Sequence, residues 1–204
     1  MSVGRSFCAC VSLVALCSGL GCVSMPTGAS LGRAEPATKS VPRGAWLAPV
    51  VISDPSARGA TENQRQLTLA IEGYVQQAGY FSRVNLLPGE PSSDEYVLGF
   101  VFDRYELRRE IHPMYVPLAL ITLGIYIWAG GPIYRDVTHF SASLSVADTS
   151  GKELLRYADH VDDEGNVSLW SPRYALPTSS AERTRLVRSL LEQAAYGLTA
   201  HATQ

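Results

Sequence analysis

The chain has 204 residues, of which 46% are hydrophobic, and its formal net charge is −2 at pH 7. This composition is typical of a folded globular domain, and the near-neutral charge provides no positive surface for nucleic acid, so we expect no nucleic-acid partner. All four cysteines lie in the first 22 residues, which excludes a disulfide framework or a cysteine-ligated zinc site from the rest of the chain.

The first 21 residues have the features of a secretory signal peptide. Arg5 supplies a positive charge, and the apolar run over residues 7–20 suits the core of a signal but is too short for a spanning helix. The residues Leu20-Gly21-Cys22 resemble the processing site of bacterial lipoproteins, in which cleavage precedes a cysteine that then carries lipid. The resemblance implies lipidation of Cys22, with palmitate among its acyl chains. Because Val23 follows the cysteine, it also implies an outer-membrane location facing the periplasm.

The chain after this site predicts a tether. Residues 22–45 are rich in serine, proline, glycine, alanine and threonine and have no apolar periodicity, which is typical of a flexible linker. An ordinary secretory signal, cleaved near Ser24 or Ala29, is the alternative and would leave no anchor. With lipidation, the chain comprises a signal peptide at 1–21, a flexible tether at 22–45 and a single domain at 46–204.

The first half of this domain predicts three strands and a helix. Apolar runs predict strands at Trp46–Ile52, Tyr80–Leu87 and Tyr96–Leu107, and Pro49 indicates an edge or a bulge in the first of them. Helical periodicity covers Arg58–Gly79, where the final glycine is a natural stop. The apolar face of this helix comprises Leu67, Ile71, Tyr74 and Ala78.

The second half predicts two strands and a second helix. Strands are expected at Val137–Ala147 and Glu153–Val161, joined by a turn at Asp148–Gly151 in which the glycine has a positive φ. A loop over Asp162–Pro177 leads to a helix at Ala181–Leu198. The buried face of the first strand comprises Phe140, Ala142, Leu144 and Val146. The helix is expected to direct Val187, Leu190, Leu191, Ala194 and Leu198 inward and Arg183, Arg185 and Arg188 outward.

These elements predict an α+β fold. Their order is β-α-β-β-(apolar insertion)-β-β-α, which favours a mixed four- to five-stranded sheet with two helices on one face. The phrases APVVIS, YVQQAGYFSRV, YVLGFVFDRYEL and LSVADTSGKELLRY resemble a superfamily of periplasmic lipoprotein domains that includes the curli-secretion lipoprotein CsgG, the N-terminal domain of TolB and the penicillin-binding-protein activator LpoB. The resemblance covers residues 46–198. It implies a non-catalytic role in partner binding or assembly at the cell envelope.

An apolar insertion interrupts the domain at residues 111–134, which contain no Asp, Glu, Lys or Arg. Prolines and glycines leave only Leu118–Ala129 uninterrupted, and such a helix covers about 18 Å of a hydrocarbon core of about 30 Å. A strand is also possible, because apolar residues alternate over residues 121–128. We expect either an added core element or an apolar surface that contacts a membrane or a partner, with true membrane insertion as a further alternative. The candidate contact residues are Leu118, Leu120, Ile121, Leu123, Ile125, Tyr126, Ile127 and Trp128.

No motif in the sequence predicts catalysis. The densest polar cluster, residues 159–164, lacks the spacing of a calcium loop and is best explained as a solvated turn at the end of a strand. The alternative is a hydrolase or metal site near Asp159, His160 and Asp162. We expect no enzymatic activity, no metal site and no cofactor.

The sequence therefore favours a lipid-anchored cell-envelope protein with a non-catalytic accessory or scaffold role. Its expected partners are the membrane, through the lipid, and another envelope protein. The alternative is a subunit of an oligomeric outer-membrane secretion pore, whose insertion reaches into the membrane.

Overall fold

The computed structural model describes residues 22–24, 28–55, 57, 60–174 and 179–201. The predicted signal peptide at 1–21 lies outside these residues. The chain divides into two compact units: unit 1 comprises Met1–Met25, Arg108–Val137 and Glu164–Leu176, and unit 2 comprises Pro26–Leu107, Thr138–Asp163 and Pro177–Gln204.

The secondary structure contains the predicted elements and several additional short ones. In chain order the elements are β1 (Cys22–Ser24), β2 (Ala45–Leu47), β3 (Val51–Ile52), α1 (Ala60–Ala78), β4 (Val84–Leu86), β5 (Tyr96–Ile111), α2 (Tyr115–Ile121), α3 (Ile125–Trp128), β6 (Pro132–Ala147), β7 (Glu153–Ser168) and α4 (Ser180–His201).

The strands form a mixed sheet in the order β4-β2-β5-β6-β7. β2 is parallel to both of its neighbours, β4 and β5, and the short strand β3 continues the parallel pairing along β5. β1 is antiparallel to the far end of β5. The predicted α+β fold, with a mixed sheet as its centre, is confirmed.

The main core lies in unit 2, between the sheet and the helices α1 and α4. Side chains alternate along β5 and β6, so that Leu98, Phe100 and Phe102 on one strand and Phe140, Ala142, Leu144 and Val146 on the other are buried. α1 and α4 contribute their apolar faces to the same cluster. The inward-facing residues predicted for both helices are confirmed as buried.

Two glycines have the backbone conformation that the sequence predicts. Gly79 ends α1 with a φ of 75°, and its N–H donates to the carbonyl of Val75 at 3.1 Å. Gly151 has a φ of 84° in the turn between β6 and β7. Because a side chain is disfavoured in this region of φ, glycine makes both chain reversals possible at low cost.

The strand boundaries differ from the prediction at several places, and β4 covers only Val84–Leu86 of the strand expected at Tyr80–Leu87. Pro49 divides the first predicted strand into β2 and β3, because the adjacent Val50 N–H donates to the Thr68 hydroxyl at 2.9 Å instead of to a strand. β5 and β6 extend into the apolar insertion, to Ile111 and from Pro132. The loop expected from Asp162 is wrong over residues 162–168, because β7 continues to Ser168.

The segment that the sequence predicts as a flexible tether has defined contacts from Gly28 onward. Within unit 2, the Gly32 N–H donates to the Thr184 hydroxyl on α4 at 2.7 Å, and the Ala37 N–H donates to the Ala78 carbonyl at the end of α1 at 2.8 Å. Alanine 29 is buried in the core. Backbone hydrogen bonds and the buried side chains of Ala29 and Val41 therefore hold residues 28–44 on unit 2.

The side chain of Arg183 contributes to this packing. The prediction that it points outward is wrong. The Arg183 side chain is buried, and its guanidinium donates to the Ser30 carbonyl at 3.0 Å and to the Ser179 hydroxyl at 2.7 Å. It also lies over the rings of Tyr105 and Phe140, with its central carbon 5.9 and 5.7 Å from their centroids. These partners offset part of the desolvation, which lowers the Arg183 pKa.

Candidate functional site

The apolar insertion forms a helical hairpin in unit 1, which we define as Met114–Trp128 and call the apolar hairpin. Its two helices, α2 and α3, have seven and four residues. The chain reverses at Leu123 and Gly124, which have φ values of 49° and 87°. The Thr122 hydroxyl donates to a carbonyl of α2 at 2.7 Å and accepts an N–H of α3 at 3.0 Å. Local hydrogen bonds therefore fix the turn.

Most apolar side chains of the hairpin are exposed. Leu123 is 92% exposed, Ile121 78% and Trp128 70%, and neither helix has a buried residue. This exposure contradicts the interpretation as an added core element, and the helical hydrogen bonds contradict the strand. Among the predicted contact residues, Leu120, Ile121, Leu123, Ile125 and Trp128 are exposed, and Leu118, Tyr126 and Ile127 are half-buried.

No helix within the described residues has the length and apolar character that crossing a membrane requires.

Aromatic rings lie where the hairpin returns to the sheet. Trp128 and Trp170 have ring centroids 5.9 Å apart, and the Trp170 indole N–H donates to the Trp128 carbonyl at 3.2 Å. The Tyr126 hydroxyl donates to the Pro132 carbonyl at 3.2 Å, and its ring lies directly over Gly131, where a Cβ atom would clash. These contacts hold α3 against the start of β6 and the loop after β7.

A buried ion pair supports the same end of unit 1. The Arg109 guanidinium donates twice to the Asp136 carboxylate, at 2.7 and 2.8 Å, and both side chains are buried. Its other hydrogen bonds reach the carbonyls of Arg173 and Tyr174 at 2.7 and 2.9 Å. The hydrogen bonds that Arg109 donates to Asp136 raise the Arg109 pKa despite the desolvation. The pair therefore connects β5, β6 and the loop at residues 171–174.

Aromatic rings enclose this ion pair. The central guanidinium carbon of Arg109 lies 5.3 Å from the centroid of the Tyr134 ring, and that ring is 5.9 Å from the ring of Tyr174. A cation over an aromatic face gains electrostatic energy, most of all where water is excluded. The arrangement is therefore typical of a rigid structural support rather than of a reactive group.

The predicted lipidation site lies beside the apolar hairpin in the fold. β1 pairs with β5 so that Cys22 is opposite Glu110, Val23 opposite Arg109 and Ser24 opposite Arg108. Glu110 is the last charged residue before the uncharged stretch, which starts at Ile111. The backbone thus brings Cys22 next to the first residues of the insertion, although about ninety residues separate them in sequence.

The polar cluster at residues 159–164 is divided between the two faces of β7. Asp159 accepts a hydrogen bond from the Ser189 hydroxyl on α4 at 2.6 Å, whereas Asp162 is 2.6 Å from His139 Nδ1 on β6. The bond to His139 lowers the Asp162 pKa. Because side chains alternate along a strand, Asp159 and His160 point to opposite faces. Within the described residues, no three His, Cys, Asp or Glu side chains come together as a metal site.

A second surface feature lies in unit 2, between β3 and α1. It is an open groove of about 390 Å³, and its lining is predominantly apolar: Pro49, Val50, Thr68, Leu69 and Leu86 contribute to it. The one charged side chain there, Arg65, pairs with Glu62 of the same helix at 2.9 Å. The residues that line the groove include no His, Cys, Asp or Glu.

Comparison with known proteins supports the fold. No family model matches the chain, and no curated protein matches it. The crystal structure of protein XCC0632 from Xanthomonas campestris, described by the family model DUF330, is similar with a TM-score of 0.50 and 12% identity, over 88% of this chain and 98% of that one. Identity this low shows a shared fold alone.

Two further solved structures are similar at lower scores. The PelC dodecamer from Paraburkholderia phytofirmans has a TM-score of 0.36 and 12% identity, over 85% of this chain and 96% of that one. A minor lipoprotein from Acinetobacter baumannii has a TM-score of 0.27 and 13% identity, over 79% and 90%.

Sequence reasoning missed three residues that build the site. Trp170 joins the hairpin from a stretch predicted as a loop, and nothing in its local sequence indicates this contact. Arg109 and Asp136 lie on either side of the insertion in sequence, and no local pattern assigns them a role. The two residues carry opposite charges and lie at nearly equal sequence distances from the turn at Gly124. Residues at equal distances from a hairpin turn lie on neighbouring strands, so this pattern is a signal that would have predicted the ion pair.

Proposed function

We propose that this protein is a lipid-anchored cell-envelope protein with a non-catalytic accessory or scaffold role. The observation that carries the proposal is the backbone pairing of Cys22 with Glu110, directly before an exposed, uncharged hairpin. An acyl chain on Cys22 and the apolar hairpin then belong to one end of unit 1. A contact surface, rather than a catalytic centre, is the feature that this end provides.

The chemistry of the exposed residues supports a contact role. Large exposed apolar patches on monomeric proteins are typical of surfaces that meet a partner or a membrane. Leu120, Ile121, Leu123, Ile125 and Trp128 supply such a patch without a titratable group. Catalysis requires a nucleophile, an acid or a base within reach of a substrate, and this surface offers none of them.

The finer family assignment is part of the same proposal. The resemblance to the CsgG, TolB and LpoB superfamily implies partner binding or assembly in the periplasm, and the α+β fold with two helices on the sheet is compatible with it. We accordingly propose an outer-membrane location, with the folded units on the periplasmic side.

The anchor is tested by replacing the cysteine. We expect Cys22→Ala to lose labelling with radioactive palmitate and to leave the outer-membrane fraction, since acyl chains supply the membrane affinity. Cys17→Ala is the matched control, because it removes a leader cysteine and should change neither result. Retention of both label and membrane location in Cys22→Ala would contradict the proposal.

The accessory role is tested by affinity purification of the lipidated protein from gently solubilised envelope. One envelope protein that is recovered with this chain in constant proportion supports the role. A stable ring of this chain alone in detergent would favour a pore subunit instead. Loss of function in His160→Ala with unchanged folding would favour a hydrolase or metal site.

A further inference from the structure

We infer that the apolar hairpin lies in the lipid surface that holds the Cys22 acyl chains, inserted to the depth of the headgroup and acyl boundary. This inference rests on the proposed lipid anchor and names the occupant of the exposed surface: lipid rather than a protein.

The first argument is that the backbone N–H groups at the hairpin turn form hydrogen bonds within the hairpin. At the turn, the N–H groups of Thr122, Leu123, Gly124 and Ile125 all donate to carbonyls of the hairpin itself, at 2.8–3.3 Å. The Thr122 hydroxyl is also satisfied within the hairpin. A lipid environment offers no partner to a polar group, so satisfaction within the segment is a requirement there. A protein partner would impose no such requirement.

The second argument is the absence of charge at the exposed tip. Protein interfaces surround an apolar centre with a polar rim, which supplies hydrogen bonds and orientation. The hairpin has no such rim between residues 111 and 134, where no Asp, Glu, Lys or Arg occurs. Charged residues return only at its two ends, at Glu110 and Arg135. This distribution matches a segment that enters an apolar phase and leaves it again.

The third argument is length. α2 has seven residues and would extend about 10 Å as a regular helix, which is well short of a hydrocarbon core of about 30 Å. The most exposed side chain, Leu123, occupies the turn between the two helices and would be the deepest. A hairpin of this size is suited to one leaflet.

The fourth argument concerns the aromatic residues. Trp128 and Trp170 contact each other at the base of the hairpin with their ring planes tilted by 51°, and both residues are more than half exposed. Trp and Tyr side chains are enriched at the level of the headgroups, because an apolar ring there keeps its polar atom near water. Their position at the base, rather than at the tip, fits a hairpin whose tip points into the acyl chains.

The fifth argument is continuity with the anchor. Because Cys22 pairs with Glu110 and the insertion begins at Ile111, acyl chains on Cys22 would enter the membrane next to the hairpin. The two would then bind one surface together. Two membrane contacts give stable attachment where a single weak one does not.

The experiment places one fluorescent reporter on the lipidated full-length protein. Because the chain has no cysteine after Cys22, whose thiol is acylated in the proposed form, Leu123→Cys provides a unique site for a nitrobenzoxadiazole label. The labelled protein is reconstituted into vesicles of phosphatidylethanolamine and phosphatidylglycerol. Ile125→Cys provides a second reporter, and Lys152→Cys, an exposed charged position in the turn before β7, provides the water-facing control.

We expect the Leu123 and Ile125 labels to shift their emission to the blue, to lose most of their quenching by iodide, and to be quenched by nitroxide-labelled lipid. The Lys152 label should remain open to iodide. Adding Ile121→Asp to the Leu123 reporter should restore a large part of the iodide quenching, because a charge at the tip opposes insertion.

Each of the remaining outcomes contradicts either this inference or the proposed function. If the protein is acylated and membrane-bound but the Leu123 and Ile125 labels are as open to iodide as Lys152, the inference fails and the anchor stands. If the labels are protected in native envelope but not in vesicles, a protein occupies the hairpin and the inference fails. If Cys22 carries no lipid, the proposed function fails. The Cys22→Ala protein with the label at Leu123→Cys is then mixed with vesicles: a blue shift keeps the insertion of the hairpin into lipid, and no shift overturns it.

Discussion

The two units of this protein contain similar apolar residues and use them in opposite ways. In unit 2, leucines and phenylalanines of β5 and β6 alternate with polar residues, and α1 and α4 cover the apolar face. In unit 1, the leucines and isoleucines of the apolar hairpin are mostly exposed, while an arginine and an aspartate are buried. Hydrophobicity by itself therefore does not predict burial.

The difference depends on whether a covering element exists. A strand with alternating side chains presents one continuous apolar face, which an amphipathic helix can cover. The apolar hairpin has exposed apolar side chains on both of its short helices, which are separated by the turn at Gly124, so that it offers no single continuous face for packing. The buried ion pair of Arg109 and Asp136 supports the end of unit 1 to which the hairpin is attached.

The largest effect is expected from a substitution that breaks the ion pair of Arg109 and Asp136. Asp136→Ala leaves the Arg109 guanidinium buried without its carboxylate, which should cost about 3–5 kcal/mol. We expect this loss of stability within unit 1. The His112 amide donates to the Ile133 carbonyl at 2.9 Å, and its rate of hydrogen exchange measures the loss.

The double variant Arg109→Met with Asp136→Leu is the control, because replacing both charges by apolar groups is often close to neutral. Protection of the His112 amide should return toward that of the unchanged protein. If Asp136→Ala alone leaves the exchange rate unaltered, the ion pair is not the support of unit 1.

The second prediction compares the same substitution in the two units. Leu98→Ala removes a fully buried side chain from β5 and should lower the free energy of unfolding by about 2–5 kcal/mol, through lost burial and the cavity left behind. Leu123→Ala, at the exposed turn, should change it by less than about 0.5 kcal/mol. Urea unfolding of both variants provides the measurement. Equal effects would show that the hairpin is covered in solution.

The third prediction, which has the smallest expected effect, concerns the loss of folding stability in acid. In unit 2 the Glu95 carboxylate accepts hydrogen bonds from the Trp46 indole at 2.8 Å, the Ser92 N–H at 2.7 Å and the Arg83 guanidinium at 2.8 Å. These bonds lower the Glu95 pKa from its ordinary value of 4.5 to about 2. The stabilisation is therefore fully present above pH 4.5 and is lost as the pH falls through about 2.

Glu95→Gln should remove this part of the acid dependence, and urea unfolding at several pH values between neutrality and strong acid will detect it. The exposed hairpin should show no comparable response, because no Asp or Glu lies between residues 111 and 134. If Glu95→Gln retains the full acid dependence, other carboxylates are responsible for it.

The regular part of the fold was predictable because its signals are local. The helical period of Leu67, Ile71, Tyr74 and Ala78 and the alternation of Phe140, Ala142, Leu144 and Val146 identify α1 and β6 and the faces that they bury. The end of β7 lacks such a signal. Residues 162–166 include three acidic residues and a glycine, and a strand without an apolar face cannot be distinguished from a loop by periodicity.

The candidate site was predictable in composition but not in geometry. The uncharged stretch itself predicts the candidate contact residues, since charged residues are otherwise common on a protein surface. Its exposure depends on whether other elements cover it, which is a property of the tertiary structure. The burial of Arg183 has the same origin, because Tyr105, Phe140 and Ser30 come from three distant parts of the sequence.

If Cys22 carries the proposed lipid, the pairing of β1 with β5 also limits how far the folded protein can lie from the membrane. As a free coil, a tether of 23 residues would let the folded part explore a radius of about 25 Å around its lipid. A strand that joins the sheet at Cys22 itself leaves almost no slack between lipid and unit 1. With acyl chains on that cysteine, unit 1 is mounted on the bilayer in a fixed orientation. It would therefore meet only those envelope components that come to the membrane surface.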